Sequence, residues 1–208
     1  MNFHHSHSEP LPLALPAAHP NSRPSGIGLN LADAAMLAFN FHLHAVNQQA
    51  PSVDKVQIAD LAQWLGTLPS ETAEATINLR LSRAESLRRM LDDPDWTLSA
   101  NVVARGRKLL AYLRTLDDLI PDDVPVIGHL DDALLIELSW EEFAGEVQDY
   151  LDYCRFCSQG HVRGNAGERR TAWESECLAQ ASEYLHKQNV RERGYARQEP
   201  YSQPFRVY

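Results

Sequence analysis

The sequence predicts an all-α protein of about six helices. From Leu29 onward, apolar residues recur at intervals of three and four. No segment shows the alternation of a half-buried strand, and the prolines fall between the periodic segments. With 208 residues, 44% of them hydrophobic, the chain can bury a real core.

Residues 1–28 precede the first stripe and read as a disordered tail. His4, His5 and His7 sit among Ser and Pro, and Pro20, Pro24, Gly26 and Gly28 follow. Proline removes donors and glycine adds chain entropy, so a flexible segment is favoured over a metal site of fixed geometry. A helical domain then spans 29–196, and 197–208 form a second tail.

The first helix carries Leu31, Ala34, Ala38, Phe41 and Ala45 and ends before Pro51. Ser52 can cap the second, which aligns Ile58, Leu61, Leu65 and Leu68. Ser70 starts the third, with Glu71 and Glu74 in the first turn, where carboxylates suit the helix dipole. Its stripe is Ala73, Ile77, Ala84, Leu87 and Leu91, and Asp92-Asp93-Pro94 ends it. The fourth runs from Ser99 to Leu116. Its interior Gly106 costs about 1 kcal/mol against Ala and points to a close helix approach. Pro121 and Pro125 make 120–128 an extended connection. The fifth carries Ile136, Trp140, Phe143, Val147, Tyr150, Cys154 and Cys157 as one seam, with Asp131 and Asp132 at its start and Gly160 and Gly164 at its end. The sixth, from Gly167 to Arg193, turns Trp173, Cys177, Ala181 and Tyr184 inward.

The formal charge is −9, which disfavours a general nucleic-acid binder. That charge is local. Twelve acidic residues and no Lys or Arg lie between Asp117 and Asp152, and the rest of the chain has 19 basic against 16 acidic residues. Three cysteines, an odd number, argue against a secreted disulfide framework. No apolar run is long enough to span a membrane. The N-terminus lacks the basic start and unbroken apolar centre of a signal peptide. The expected location is cytoplasmic, with a peripheral membrane association as the variant.

Within the acidic block, Glu137, Glu141, Glu142, Glu146, Asp149 and Asp152 fall off the apolar seam and read as a solvated face, or as a docking face for a basic partner. Asp117, Asp118, Asp122, Asp123, Asp131 and Asp132 surround a proline turn. Asp at helix ends caps amides. The same residues offer oxygen ligands to a divalent cation, with Asp118, Asp122, Asp131 and Asp132 as candidates. The paired aspartates of isoprenoid synthases are a poor parallel, because Pro121 breaks the helix inside the motif. Cys154-x-x-Cys157-x-x-x-His161 with Cys177 has zinc-ligand types, but apolar periodicity favours core packing. No phosphate loop, nucleophile elbow or His-Glu-x-x-His is present.

Residues 113–136 (LRTLDDLIPDDVPVIGHLDDALLI) resemble the core motif of the YkvA-like family, a bacterial domain of unknown function. The resemblance spans about 101–138. It rests on Asp118, Leu119, Ile120, Pro121, Asp122, Pro125, Gly128, Leu130, Asp131 and Asp132. It implies a helix, a proline-containing link and a second helix. It implies no activity. Asp123 and His129 replace apolar or aromatic residues of the family pattern, and the helix that many members make apolar is amphipathic here at Trp140-Glu141-Glu142.

The expected function is a non-enzymatic helical interaction module built on Asp118, Pro121, Asp122, Gly128, Asp131 and Asp132. Its partner would be another protein, a second copy or a membrane-associated assembly, with no resident cofactor. The alternative is a hydrolase that holds a divalent cation on the four aspartates.

Overall fold

A computed structural model describes residues 11–12, 31–115, 119–121, 123–160 and 164–192. Among the described residues there are seven α-helices and no strand. They are α1 (Asp33–Val46), α2 (Lys55–Thr67), α3 (Ser70–Asp92), α4 (Ala100–Tyr112), α5 (Leu130–Ser139), α6 (Ala144–Ser158) and α7 (Ala166–Glu192). None is long and apolar enough to cross a membrane. The chain divides into two compact units, Met1–Leu151 and Asp152–Tyr208, and the division falls inside α6.

In the first unit α3 packs along α5 and α4, and α1 packs along α4 and α5. α5 is the central element, with every residue from Leu130 to Ile136 buried. Two asparagines fix α1 against its neighbours. Asn40 donates to the Val53 carbonyl and accepts from the Val53 amide, both at 2.8 Å. Asn47 donates to the Leu138 carbonyl at 2.9 Å. α2 begins at a capping box in which Asp54 and Gln57 satisfy each other's backbone amides. Asp54, not Ser52, is thus the cap. Ser99, the expected start of the fourth helix, caps α4 and accepts from the Val102 amide.

The buried face of α1 differs from the expected stripe. Met36, Phe39, Leu43 and Val46 face inward, while Phe41 is 71% exposed. This helix is apolar on most of its circumference, so two rows with the same spacing compete. The row that also orients Asn40 and Asn47 is the buried one. α4 ends at Tyr112, and Leu116 lies outside the described residues. Gly106 does mark a close approach: a Cβ there would lie 2.7 Å from Leu91 Cδ1 on α3.

The single fifth helix of the sequence reading is two helices. A 3₁₀ turn over Trp140–Glu142 separates α5 from α6. The spacing of three and four runs through it without a break, because Ser139 and Phe143 are buried on either side of the turn. Glu142 in the turn pairs with Arg105 of α4. Tyr150 on α6 donates to Asp93 at 3.0 Å and meets the edge of Trp96.

In the second unit Tyr153 is buried and its ring meets Trp173 edge-on at 5.9 Å. Beyond Trp173 the expected inward face of the last helix is not observed. Cys177 and Tyr184 are exposed, and α7 has no buried residue. The tail assigned to 1–28 lies outside the described residues except Leu11, which is buried, and Pro12. The tail at 197–208 also lies outside them.

Candidate functional site

The site forms where the link from α4 reaches α5. Ile120 and Ile127 are fully buried and anchor the link at both ends. The link is a chain of tight turns instead of an extended connection. The Val124 amide donates to the Pro121 carbonyl, Gly128 to Val124 and Leu130 to Ile127. Two prolines remove donors, so the remaining amides close short loops. Val126 sits at φ 71°, in the left-handed region. A β-branched residue there costs about 1–3 kcal/mol, which the buried isoleucines on either side must offset.

Asp131, in the first turn of α5, ties this turn together. Its Oδ2 accepts from the Leu119 amide at 2.9 Å, the Ile120 amide at 3.4 Å and the Tyr112 hydroxyl at 3.2 Å. Its Oδ1 is buried with no partner among the described residues. Burial pushes the Asp131 carboxyl above the ordinary 3.8, against the lowering effect of the amide and hydroxyl donors. Asp132 is buried beside it, and His129 Nδ1 lies 3.5 Å from Asp132 Oδ2.

The outer face of the turn forms one wall of a cleft of about 230 Å³. The other wall is α3. Ile77, Val124 and Pro125 give it an apolar lining, and Glu74, Asp123 and His129 bring charge and hydrogen-bonding groups. Glu74 and Asp123 are exposed, and Glu74 also accepts from the Ser70 hydroxyl at 3.0 Å.

The structure describes four of the six expected site residues. Asp131, Asp132, Gly128 and Pro121 lie in or beside the turn, with Gly128 and both aspartates buried and Pro121 exposed. Asp118 and Asp122 lie outside the described residues. Among the described residues no three His, Cys, Asp or Glu side chains converge as metal ligands do. Cys154 and Cys157 are half-buried, Cys177 is exposed instead of packed inward, and His161 lies outside the described residues.

The acidic block is less solvated than its sequence implies. Glu137 is only 13% exposed at its side chain and receives Arg80 Nε at 3.2 Å and Arg83 at 2.7 Å. Arg83 also lies over the Trp140 ring, 5.4 Å from its centre. Glu142 pairs with Arg105, and Asp152 with Arg155 at 2.8 Å. Glu137, Glu142 and Asp152 are thus committed within the chain, while Glu141 and Asp149 face solvent.

Sequence reasoning missed Glu74, Ile77 and Asn78 as cleft residues and Arg80 as a core residue. Glu74 carried a signal, but it pointed to the helix dipole. No family model matches the chain, and no match was found among curated proteins or among solved structures.

Proposed function

We propose that the chain is a non-enzymatic helical interaction module whose cleft between α3 and the proline turn receives a basic side chain of a protein partner. The cleft itself carries this reading. Its apolar lining of Ile77, Val124 and Pro125 suits the methylene stem of Arg or Lys, and Glu74 and Asp123 suit the charged head. The motif that resembles the YkvA-like family then serves to shape the turn, since Asp131 accepts from Leu119 and Ile120 within that motif. The rival reading, a metal-dependent hydrolase, needs the Asp131 carboxylate free for a cation. Its Oδ2 already accepts three donors, and around its unpaired Oδ1 no second and third ligand converge among the described residues, which favours the interaction reading.

The test is an amide chemical-shift titration of the full chain with a blocked Arg-Pro-Arg peptide and its citrulline counterpart, which keeps the shape and loses the charge. The arginine peptide should shift amides of residues 74–78 and 123–129. Glu74→Gln combined with Asp123→Asn, both at exposed positions, should weaken that binding about tenfold. Equal shifts with both peptides, or none at millimolar peptide, would overturn the proposal. A melting temperature raised by millimolar Mg²⁺, Mn²⁺ or Ca²⁺ would favour the hydrolase instead.

A further inference from the structure

The cleft between α3 and the proline turn carries its two carboxylates on facing walls. Glu74 stands on α3 and Asp123 on the turn, and Ile77, Val124 and Pro125 line the space they share. Both walls are set by contacts within the chain. On the turn, Ile120 and Ile127 are fully buried, and the Val124 and Gly128 amides donate to the Pro121 and Val124 carbonyls at 3.1 and 2.9 Å. On α3, Ile77 is buried and seats that side of the helix in the core, and the Ser70 hydroxyl donates to Glu74 at 3.0 Å. A site whose walls are set before binding discriminates by the shape of a guest as well as by its charge.

We infer that the cleft selects arginine over lysine, because one guanidinium bridges the Glu74 and Asp123 carboxylates and one ammonium does not. This rests on the reading of the cleft as a seat for a basic side chain, and narrows it. A guanidinium is flat and carries five N–H donors along edges that point in different directions. One edge can meet Glu74 while another meets Asp123, each through the paired N–H bonds that a carboxylate accepts. Its weakly hydrated faces suit the apolar lining. An ammonium gathers its donors at one point and holds its water strongly. In a cleft of about 230 Å³ it settles against one wall and leaves the other carboxylate to solvent. Ser70 takes one acceptor position of Glu74, and a carboxylate offers about four. His129 also lines the cleft, with Nδ1 3.5 Å from Asp132 Oδ2. Among the described residues no Phe, Tyr or Trp lines it, so the ring faces that would favour a methylated ammonium are missing.

Amide-shift titrations of the full chain at low salt, with blocked Arg-Pro-Arg and Lys-Pro-Lys peptides, test this. The arginine peptide should bind at least about fivefold more tightly. A third peptide carries asymmetrically dimethylated arginines, which keep the charge and lose the donors of one terminal nitrogen. It should bind like the lysine peptide. Glu74→Gln and Asp123→Asn are made separately, both at exposed positions. Each should reduce the preference for arginine to less than about twofold, because a single carboxylate serves both cations alike. Amides outside 70–80 and 119–131 check that each variant stays folded. Equal affinity for arginine and lysine in the parent chain overturns the selectivity and leaves the basic-side-chain reading standing. A preference that survives in both single variants overturns the bridge, as does a dimethylated peptide that binds like the arginine peptide. Binding of neither peptide overturns the reading itself, and the selectivity with it.

Discussion

Asp131 carries more of the turn than any other described side chain. Removing it as Asp131→Ala leaves the Leu119 and Ile120 amides and the Tyr112 hydroxyl without their acceptor in the core. The expected loss is about 2–4 kcal/mol by urea unfolding, because buried donors lose their partner and gain no water. Asp131→Asn keeps an acceptor oxygen and removes the titration. The folded carboxyl binds its proton more tightly than the ordinary 3.8. Its stabilising contribution is therefore fully present below 3.8 and is lost as pH rises through the raised folded value. The stability of the parent chain minus that of Asp131→Asn should fall as pH climbs from about 4 toward neutrality. A difference that grows over that range would reverse the sign. The sequence placed Asp131 at a helix start, where a carboxylate is expected. It could not name the accepted amides, because those depend on how a link with two prolines folds back.

At the scale of elements, α3 and α5 are joined through a buried ion pair. Arg80 is 2% exposed and also donates to the Thr76 carbonyl at 2.9 Å. Glu137→Ala leaves that guanidinium buried without its carboxylate and should cost about 3–5 kcal/mol. Replacing both partners, Arg80→Met with Glu137→Met, should recover most of that loss, since two apolar side chains pay no desolvation. Arg83 keeps 20% of its side chain exposed, so it can retain its place over Trp140. Equal losses in the single and double variants would mean that packing, not charge, holds the junction. The α3–α4 crossing offers a second case. Gly106→Ala gains about 1 kcal/mol of helix propensity. It must also displace the Leu91 side-chain tip, which is half-buried and free to move. The net change should stay within about 1 kcal/mol, whereas Gly106→Val should destabilise by about 2 kcal/mol or more. Helix existence was legible from periodicity alone. Helix faces were legible only where one row was apolar, as in α2 and α3. In α1 two rows competed, and across 139–143 the same spacing covered a break that a helix and a 3₁₀ turn share.

For the whole molecule, the fold class followed from periodicity, but the division into two units did not. Both units carry helical spacing, and spacing does not reveal whether a face meets anything. Among the described residues, Tyr153 is the one buried hydrophobic beyond Leu151. The first unit therefore holds the packed core and should unfold cooperatively, while α7, which buries no residue, should melt separately. Two transitions are expected on heating. The first should remove far-ultraviolet helical signal in proportion to the 27 residues of α7 and leave the near-ultraviolet signal of Trp96 and Tyr150 intact. Far- and near-ultraviolet circular dichroism followed through the same melt checks this. A single transition that coincides in both signals would mean that α7 draws its stability from the same cooperative core.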